Sequence, residues 1–194
     1  MRTLLVLVLL GLLSPVATLA HPHVMVDVHA LVEFKNGKAV SLFVGWTFDP
    51  VFSASLLKDF DANKDGRLDE AEIKVLEAEA FRDTREQSHF TYAKVGDKPV
   101  KWPAATEFKV MAVKDSLLYA FRLRFPEPVD PRKAGLSLTT YEETFYIDMD
   151  FPNDKAVTLT GEGSQGCKVV IAPDPASAIY GGAVIPKRAS VICE

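Results

Sequence analysis

The chain has 194 residues, 48% of them hydrophobic and 25% charged, which is the composition of a globular domain and excludes a disordered tail, a coiled coil or a collagen-like fibre. Its formal net charge of −4 leaves no basic footprint for nucleic acid. The only segment apolar enough to meet a membrane lies at the extreme N-terminus.

Met1 to Ala20 reads as a secretory signal. Arg2 supplies the positive start, Leu4 to Leu13 the short apolar core, and Ser14 and Pro15 break it. Thr18 and Ala20 give small residues at the positions a signal peptidase reads. Cleavage after Ala20 makes His21 the first residue, and no membrane span remains after it. The rest, 21–194, is expected to form one domain in an oxidising compartment.

Val24 to Phe34 alternates, with Val24, Val26, Val28, Ala30, Val32 and Phe34 on a core face. Lys35-Asn36-Gly37-Lys38 signals a hairpin turn, and Ala39 to Phe48 returns as the second strand. A helical insert is expected at about 49–87. Asp49-Pro50 starts one helix with an acidic cap and a first-turn proline, and Phe52, Leu56, Leu57 and Phe60 form its apolar stripe. A second helix from about Asp69 carries Ile73, Leu76, Ala80 and Phe81. Further strands are expected at Phe90–Val95, Pro99–Trp102, Glu107–Val113, Leu117–Phe125, Leu136–Tyr141, Phe145–Asp150, Ala156–Thr160 and Lys168–Ile171, separated by turn signals. Many short strands with regular turns predict a mainly β protein, an antiparallel, immunoglobulin-like (Ig-like) β-sandwich with an inserted helix–loop–helix EF-hand. The tail from about Pro173, rich in Pro, Ala and Gly, shows no period and is expected to be loosely structured. Cys167 and Cys193 are expected to pair as a disulfide that ties this tail down.

The most specific motif lies between the two helices. Residues 61–72 read D-A-N-K-D-G-R-L-D-E-A-E and match the EF-hand calcium loop at each defining position. Asp61, Asn63 and Asp65 offer side-chain oxygens, Gly66 permits the sharp turn, and Arg67 offers its backbone carbonyl. Asp69 binds directly or through water, and Glu72 supplies a bidentate carboxylate. Only one such loop is present, and sensors work in pairs. One calcium ion as a structural staple is therefore expected, with the modest affinity of extracellular sites.

The processed chain would begin H-P-H-V-M-V-D-V-H. His21, His23, Met25, Asp27 and His29 share the strand face opposite the valines. With the free α-amine, His21, His23 and Asp27 form a candidate site for nickel, cobalt, zinc or copper. Pro22 has no amide hydrogen, so the amino-terminal square-planar chelate is unavailable. Met25 would tilt the site toward copper(I), and the competing reading is a solvated, frayed terminus. His29 and His89 read as ordinary hydrogen-bonded histidines. Gly161 to Gly166 fits G-x-G-x-x-G but precedes a strand rather than a helix, so it is no phosphate loop. Asp148 and Asp150 share a face with Tyr146 and read as a solvated acidic pair. No nucleophile with a base emerges.

The opening H-P-H-V-x-V-D, the segment W-T-F-D-P-V-F-S-A-S-L-L at Trp46 to Leu57, the calcium loop and F-T-Y at Phe90 to Tyr92 together resemble bacterial domain-of-unknown-function family 1007. Its members are described as the periplasmic component of an uncharacterised ABC-type transport system. The resemblance covers about residues 21–171. It implies a periplasmic location and a link with nickel or cobalt permeases. His21, His23 and Asp27 match the family's opening motif, whereas Met25 stands where an aromatic or aliphatic residue is usual. A chain this short lacks the two α/β lobes of an ordinary transport binding protein. The leading expectation is a non-enzymatic periplasmic accessory. It would exchange a transition metal with an inner-membrane metal permease or ABC-type transporter, with calcium stapling its insert. The rivals are a copper histidine-brace redox protein and a calcium-stabilised structural or interaction module.

Overall fold

A computed structural model describes residues 23–194. The signal-segment expectation for Met1–Ala20, and His21 itself, lie outside the described residues. The described residues are 48% strand and 22% helix, hence mainly β, and their strands form two sheets.

The first sheet grows from the hairpin of β1 (Val24–Lys35) and β2 (Lys38–Phe48). The even-numbered residues of β1 are buried and most odd ones exposed, as the alternation requires. Asn36 and Gly37 both have positive φ, 50° and 75°, which is what a two-residue turn between right-twisted strands needs. The long strand β6 (Ser116–Val129) pairs antiparallel with β2, and β5 (Thr106–Val113) pairs with β6. The second sheet runs in the order β10 (Cys167–Pro173), β11 (Lys187–Cys193), β7 (Leu136–Thr140), β3 (Thr91–Val95), β4 (Lys98–Pro99). One core receives side chains from both sheets, including Val32, Leu42 and Phe121 from the first and Leu136, Leu138, Ala189 and Val191 from the second.

Three expectations need correction. The first sheet is not purely antiparallel. β8 (Ile147–Asp150) and β9 (Val157–Gly161) lie one after the other along the outer edge of β1 and run parallel to it. Parallel neighbours need a crossover, and the chain reaches β8 from β7 of the other sheet, a route that periodicity does not encode. The tail from about 173 is not loose: β11 sits between β10 and β7 and buries Ala189 and Val191. Its core face is small and short, so composition hid it. The strand expected at Pro99–Trp102 shrinks to Lys98–Pro99, because Trp102 turns inward and donates its indole N–H to the Thr91 carbonyl at 2.6 Å.

The cysteines do pair. Cys167 and Cys193 are directly opposite at the ends of β10 and β11, with Cα atoms 4.0 Å apart.

The glycine-rich segment is a turn. Gly161 has φ +91°, and a Cβ there would meet the Phe34 carbonyl oxygen at 2.1 Å. Only glycine permits that conformation at that distance. β10 follows, so no helix N-terminus faces a phosphate.

Candidate metal centres

The helical insert is anchored before its loop begins. Asp49 caps α1 (Pro50–Phe60) by accepting from the Val51 and Phe52 amides. Its second oxygen accepts from the Met25 amide at 3.0 Å, which ties the helix to β1. Burial works against this carboxylate, but the amides of Met25, Phe52 and Val51 outweigh it and hold its pKa below the ordinary range. Within α1, buried Ser53 accepts from the Leu117 amide of β6 at 2.8 Å. The insert is therefore clamped to the first sheet at two points.

Between α1 and α2 (Glu70–Leu76) the 61–72 loop is organised by its own side chains. Asp61 accepts from the amides of Asp65 and Gly66, Asn63 from Asp65, and Asp65 from Arg67. These short-range turns are the local hydrogen bonding that Asp and Asn offer a tight loop. Gly66 has φ +82° with nothing near its missing Cβ, so the glycine is there for conformation rather than space. Leu68 turns inward against the core. Asp69 caps α2 in a reciprocal capping box with Glu72. Glu72 is only 7% exposed. One of its oxygens accepts from Ala62 and Asn63, the other from Asp69. Asp61, Asn63, Asp65, Asp69 and Glu72 thus share one short loop, and each turns at least one side-chain oxygen onto a backbone amide. Among the described residues, no three of His, Cys, Asp and Glu converge on one point suited to an ion.

After α2 the helix does not continue regularly. Leu76 and Phe81 are both buried, and their spacing of five does not fit the α repeat. A π-turn over Glu77–Phe81 absorbs the extra residue and leaves Ala80, expected on the core stripe, exposed.

The second candidate centre lies at the head of β1. His23 is exposed; its amide donates to the Tyr146 carbonyl at 3.0 Å, and its ring lies 4.8 Å from the Tyr146 ring. Met25, 58% exposed, is the next residue on the same face. The parallel register puts Met25 beside Asp148 and Asp27 beside Asp150. Burial, then the charges of Asp150 and Asp27, raise the Asp148 pKa above the ordinary range, while Lys187 pulls the other way. Asp150 forms an ion pair with Lys187. Upstream, Glu142 shapes the approach to β8. Burial opposes its charge, but hydrogen bonds from Thr144, Tyr146 and Ile147 prevail and lower its pKa.

This geometry sorts the histidine strip. Asp27 is four residues from His23 along an extended strand, about 13 Å away, and so belongs with Asp148 and Asp150 rather than with the imidazole. His29, six residues on, is about 20 Å from His23 and lies against Gly45 of β2. His89 is only 2% exposed, packed against Phe81 and Phe121. His29 is thus out of reach of His23, and His89 is committed to the aromatic core. The carboxylate that the parallel register sets beside Met25 is instead Asp148. Only pairing across strands reveals this, because nothing in the sequence sets β8 beside β1.

Comparison with known proteins gives the chain a family. Residues 6–184 match the family described as "Protein of unknown function (DUF1007)", and the chain belongs to it. It is 26% identical over 137 residues to an uncharacterised 15.5 kDa protein from the trpE 3′ region of Spirochaeta aurantia, covering 70% of this chain and 96% of that one. It is 25% identical over 154 residues to an uncharacterised protein of Haemophilus influenzae, covering 78% and 73% respectively. Among the described residues no helix is long and apolar enough to cross a membrane.

Proposed function

We propose that this chain is an exported, periplasmic metal-handling accessory. It takes a transition metal (nickel, cobalt, zinc or copper) at the head of β1 and exchanges it with an inner-membrane permease or ABC-type transporter. The observation that carries the reading is the solvent-facing row of His23 and Met25, with Asp148 alongside on β8. To the imidazole, thioether and carboxylate donors there, cleavage following Ala20 would add the His21 imidazole and α-amine. Donors of this mixed kind suit divalent transition metals, and the thioether favours copper(I). The role is non-enzymatic. A copper brace needs a second imidazole from elsewhere in the fold, and the positions of His29 and His89 argue against one.

The 61–72 loop serves this reading as a calcium-binding EF-hand that staples the insert. Its support is the loop's hydrogen bonding and the Gly66 conformation. Binding would exchange the amides now held by Glu72 for the ion. The two sheets with their shared core are read as an Ig-like sandwich carrying this insert.

Calorimetric titration of the processed protein with each transition metal tests the proposal. One site is expected, weakened about tenfold or more by His23→Ala, since one lost ligand is worth at least 1.4 kcal/mol. Asp27→Asn should leave affinity unchanged, because Asp27 is out of reach. Equal loss in both variants, or none in His23→Ala, would refute the assignment. The rival is a calcium-stapled interaction module, resting on the same 61–72 loop. It predicts calcium binding and no transition-metal site.

A further inference from the structure

The helical insert also borders a half-open pocket of about 330 Å³ that the proposed metal sites do not use. Its walls are the π-turn, the start of the following 3-10 segment (Arg82–Phe90), and Ala104 and Ala105 from the link between β4 and β5. His89 forms part of the lining.

The tautomer of His89 follows from its neighbours. The Thr84 hydroxyl donates its only proton to the Phe81 carbonyl at 2.7 Å. The same oxygen lies 2.7 Å from His89 Nδ1, so it must accept there, and Nδ1 carries the hydrogen. Nε2 is then a bare lone pair. It is buried and has no partner among the described residues. Such an atom needs a donor, since an unmade hydrogen bond at a buried site costs about 1–3 kcal/mol. Burial, then the Arg85 charge, push the His89 pKa down to about 4, so the lone pair persists at neutral pH.

The ring is held in place against backbone cost. Ser88, His89 and Phe90 all have positive φ, at 56°, 47° and 46°, which is strained for non-glycine residues. Thr91 and Thr140 hold the carbonyls of His89 and Phe90 at 2.9 Å each, and Phe81 stacks on the imidazole at 4.9 Å. Around the pocket stand Lys74, Arg82 and Arg85 against one carboxylate, Glu77. Arg82 makes only a long 3.9 Å surface contact with Asp83. Three cations and one carboxylate do not make a metal site, but they do attract an anion.

The geometry points to a binding site for a small oxyanion that also carries an O–H: the O–H donates to His89 Nε2 while Arg82, Arg85 and Lys74 take the negative oxygens. Hydrogen phosphate and a hydroxycarboxylate share this chemistry, and paired probes separate them. Inorganic phosphate is compared with sulfate, and L-malate with succinate; each pair has similar shape and charge but only the first member offers the O–H at neutral pH. The readout is the ¹⁵N shift of the His89 ring nitrogens in the full chain, followed during titration.

Phosphate or malate should move Nε2 saturably, with affinity about tenfold or more above the matched probe lacking the O–H, the worth of one buried hydrogen bond. Whichever of the two binds identifies the source. The exposed double variant Arg82→Gln/Arg85→Gln should lose that affinity while keeping the free His89 shifts. His89→Asn, a residue that tolerates positive φ, should abolish the preference for the O–H. The proposal is overturned if neither O–H probe gives a saturable shift, if sulfate and succinate bind as well as their partners, or if the arginine variant binds unchanged. None of these readouts depends on transition-metal binding at β1.

Discussion

Replacing Glu72 by glutamine tests the loop in two steps. The Glu72 side chain accepts from Ala62 and Asn63 through one oxygen and from Asp69 through the other. Glutamine keeps one acceptor oxygen and turns an NH₂ toward the remaining amide. One hydrogen bond to a charged acceptor is lost, about 2 kcal/mol at this largely buried position. In a chain of this size that lowers Tm by about 4–8 °C. Calcium adds the second step. A loop at the tighter end of the extracellular class, with Kd about 10⁻⁴ M, gains about 2.7 kcal/mol at a hundredfold excess of free ion. The parent protein should therefore melt about 5–10 °C higher in 10 mM calcium than in chelator. Glu72→Gln should lose that rise as well as starting lower. Calorimetry in calcium, magnesium and chelator reads both. An undiminished calcium shift in the variant would place the ion elsewhere, and no shift in the parent would remove calcium from the account.

Other consequences can be measured in the same way. Gly161→Ala should destabilise by about 3 kcal/mol, from positive φ and the clash with the Phe34 carbonyl; denaturation reads this, and a change under 1 kcal/mol would contradict the turn geometry. Replacing both Cys167 and Cys193 by serine opens a loop spanning 26 positions and should cost about 3 kcal/mol on the chain-entropy account, read by urea melts with and without reductant. His89 contributes an acid-sensitive component. Its folded pKa of about 4 lies below the ordinary 6.5, so stability is intact above 6.5 and falls by about 3 kcal/mol as pH drops toward 4. Asp148, shifted upward, works in the opposite sense over part of that window. The loss should shrink in His89→Asn, and an identical pH profile there would refute the assignment.

The parts of the fold written in local pattern were legible. The alternation of β1, the Asn36-Gly37 turn, the Asp49 cap and the glycine at position 66 each follow from the conformational preference of one or two residues. The pairing of Cys167 with Cys193 followed from compartment and count, and β10–β11 supplies the geometry. What stayed hidden depends on long-range partners. Nothing local says that β8 and β9 will add parallel to β1, so Asp148 looked like a solvated acid and Asp27 like a partner for His23. β11 was masked by the Pro, Ala and Gly around it. The π-turn announced itself only as an awkward spacing between Leu76 and Phe81. His89 reads from sequence as an ordinary hydrogen-bonded histidine, and half of it is: Nδ1 is bonded as expected, while Nε2 becomes informative only once Thr84 and Phe81 fix its tautomer.

Everything proposed for this chain turns on a transition-metal site formed by the processed N-terminus at the head of β1. Native mass spectrometry of the exported protein can detect that site, with calcium present and nickel, cobalt, zinc and copper added in turn. A form with one extra residue before His21 serves as the comparison. One transition-metal ion in addition to calcium is expected when His21 is the first residue, with binding sharply weakened when its amine is blocked. Calcium alone in both forms would contradict it and leave the calcium-stapled interaction module as the better description.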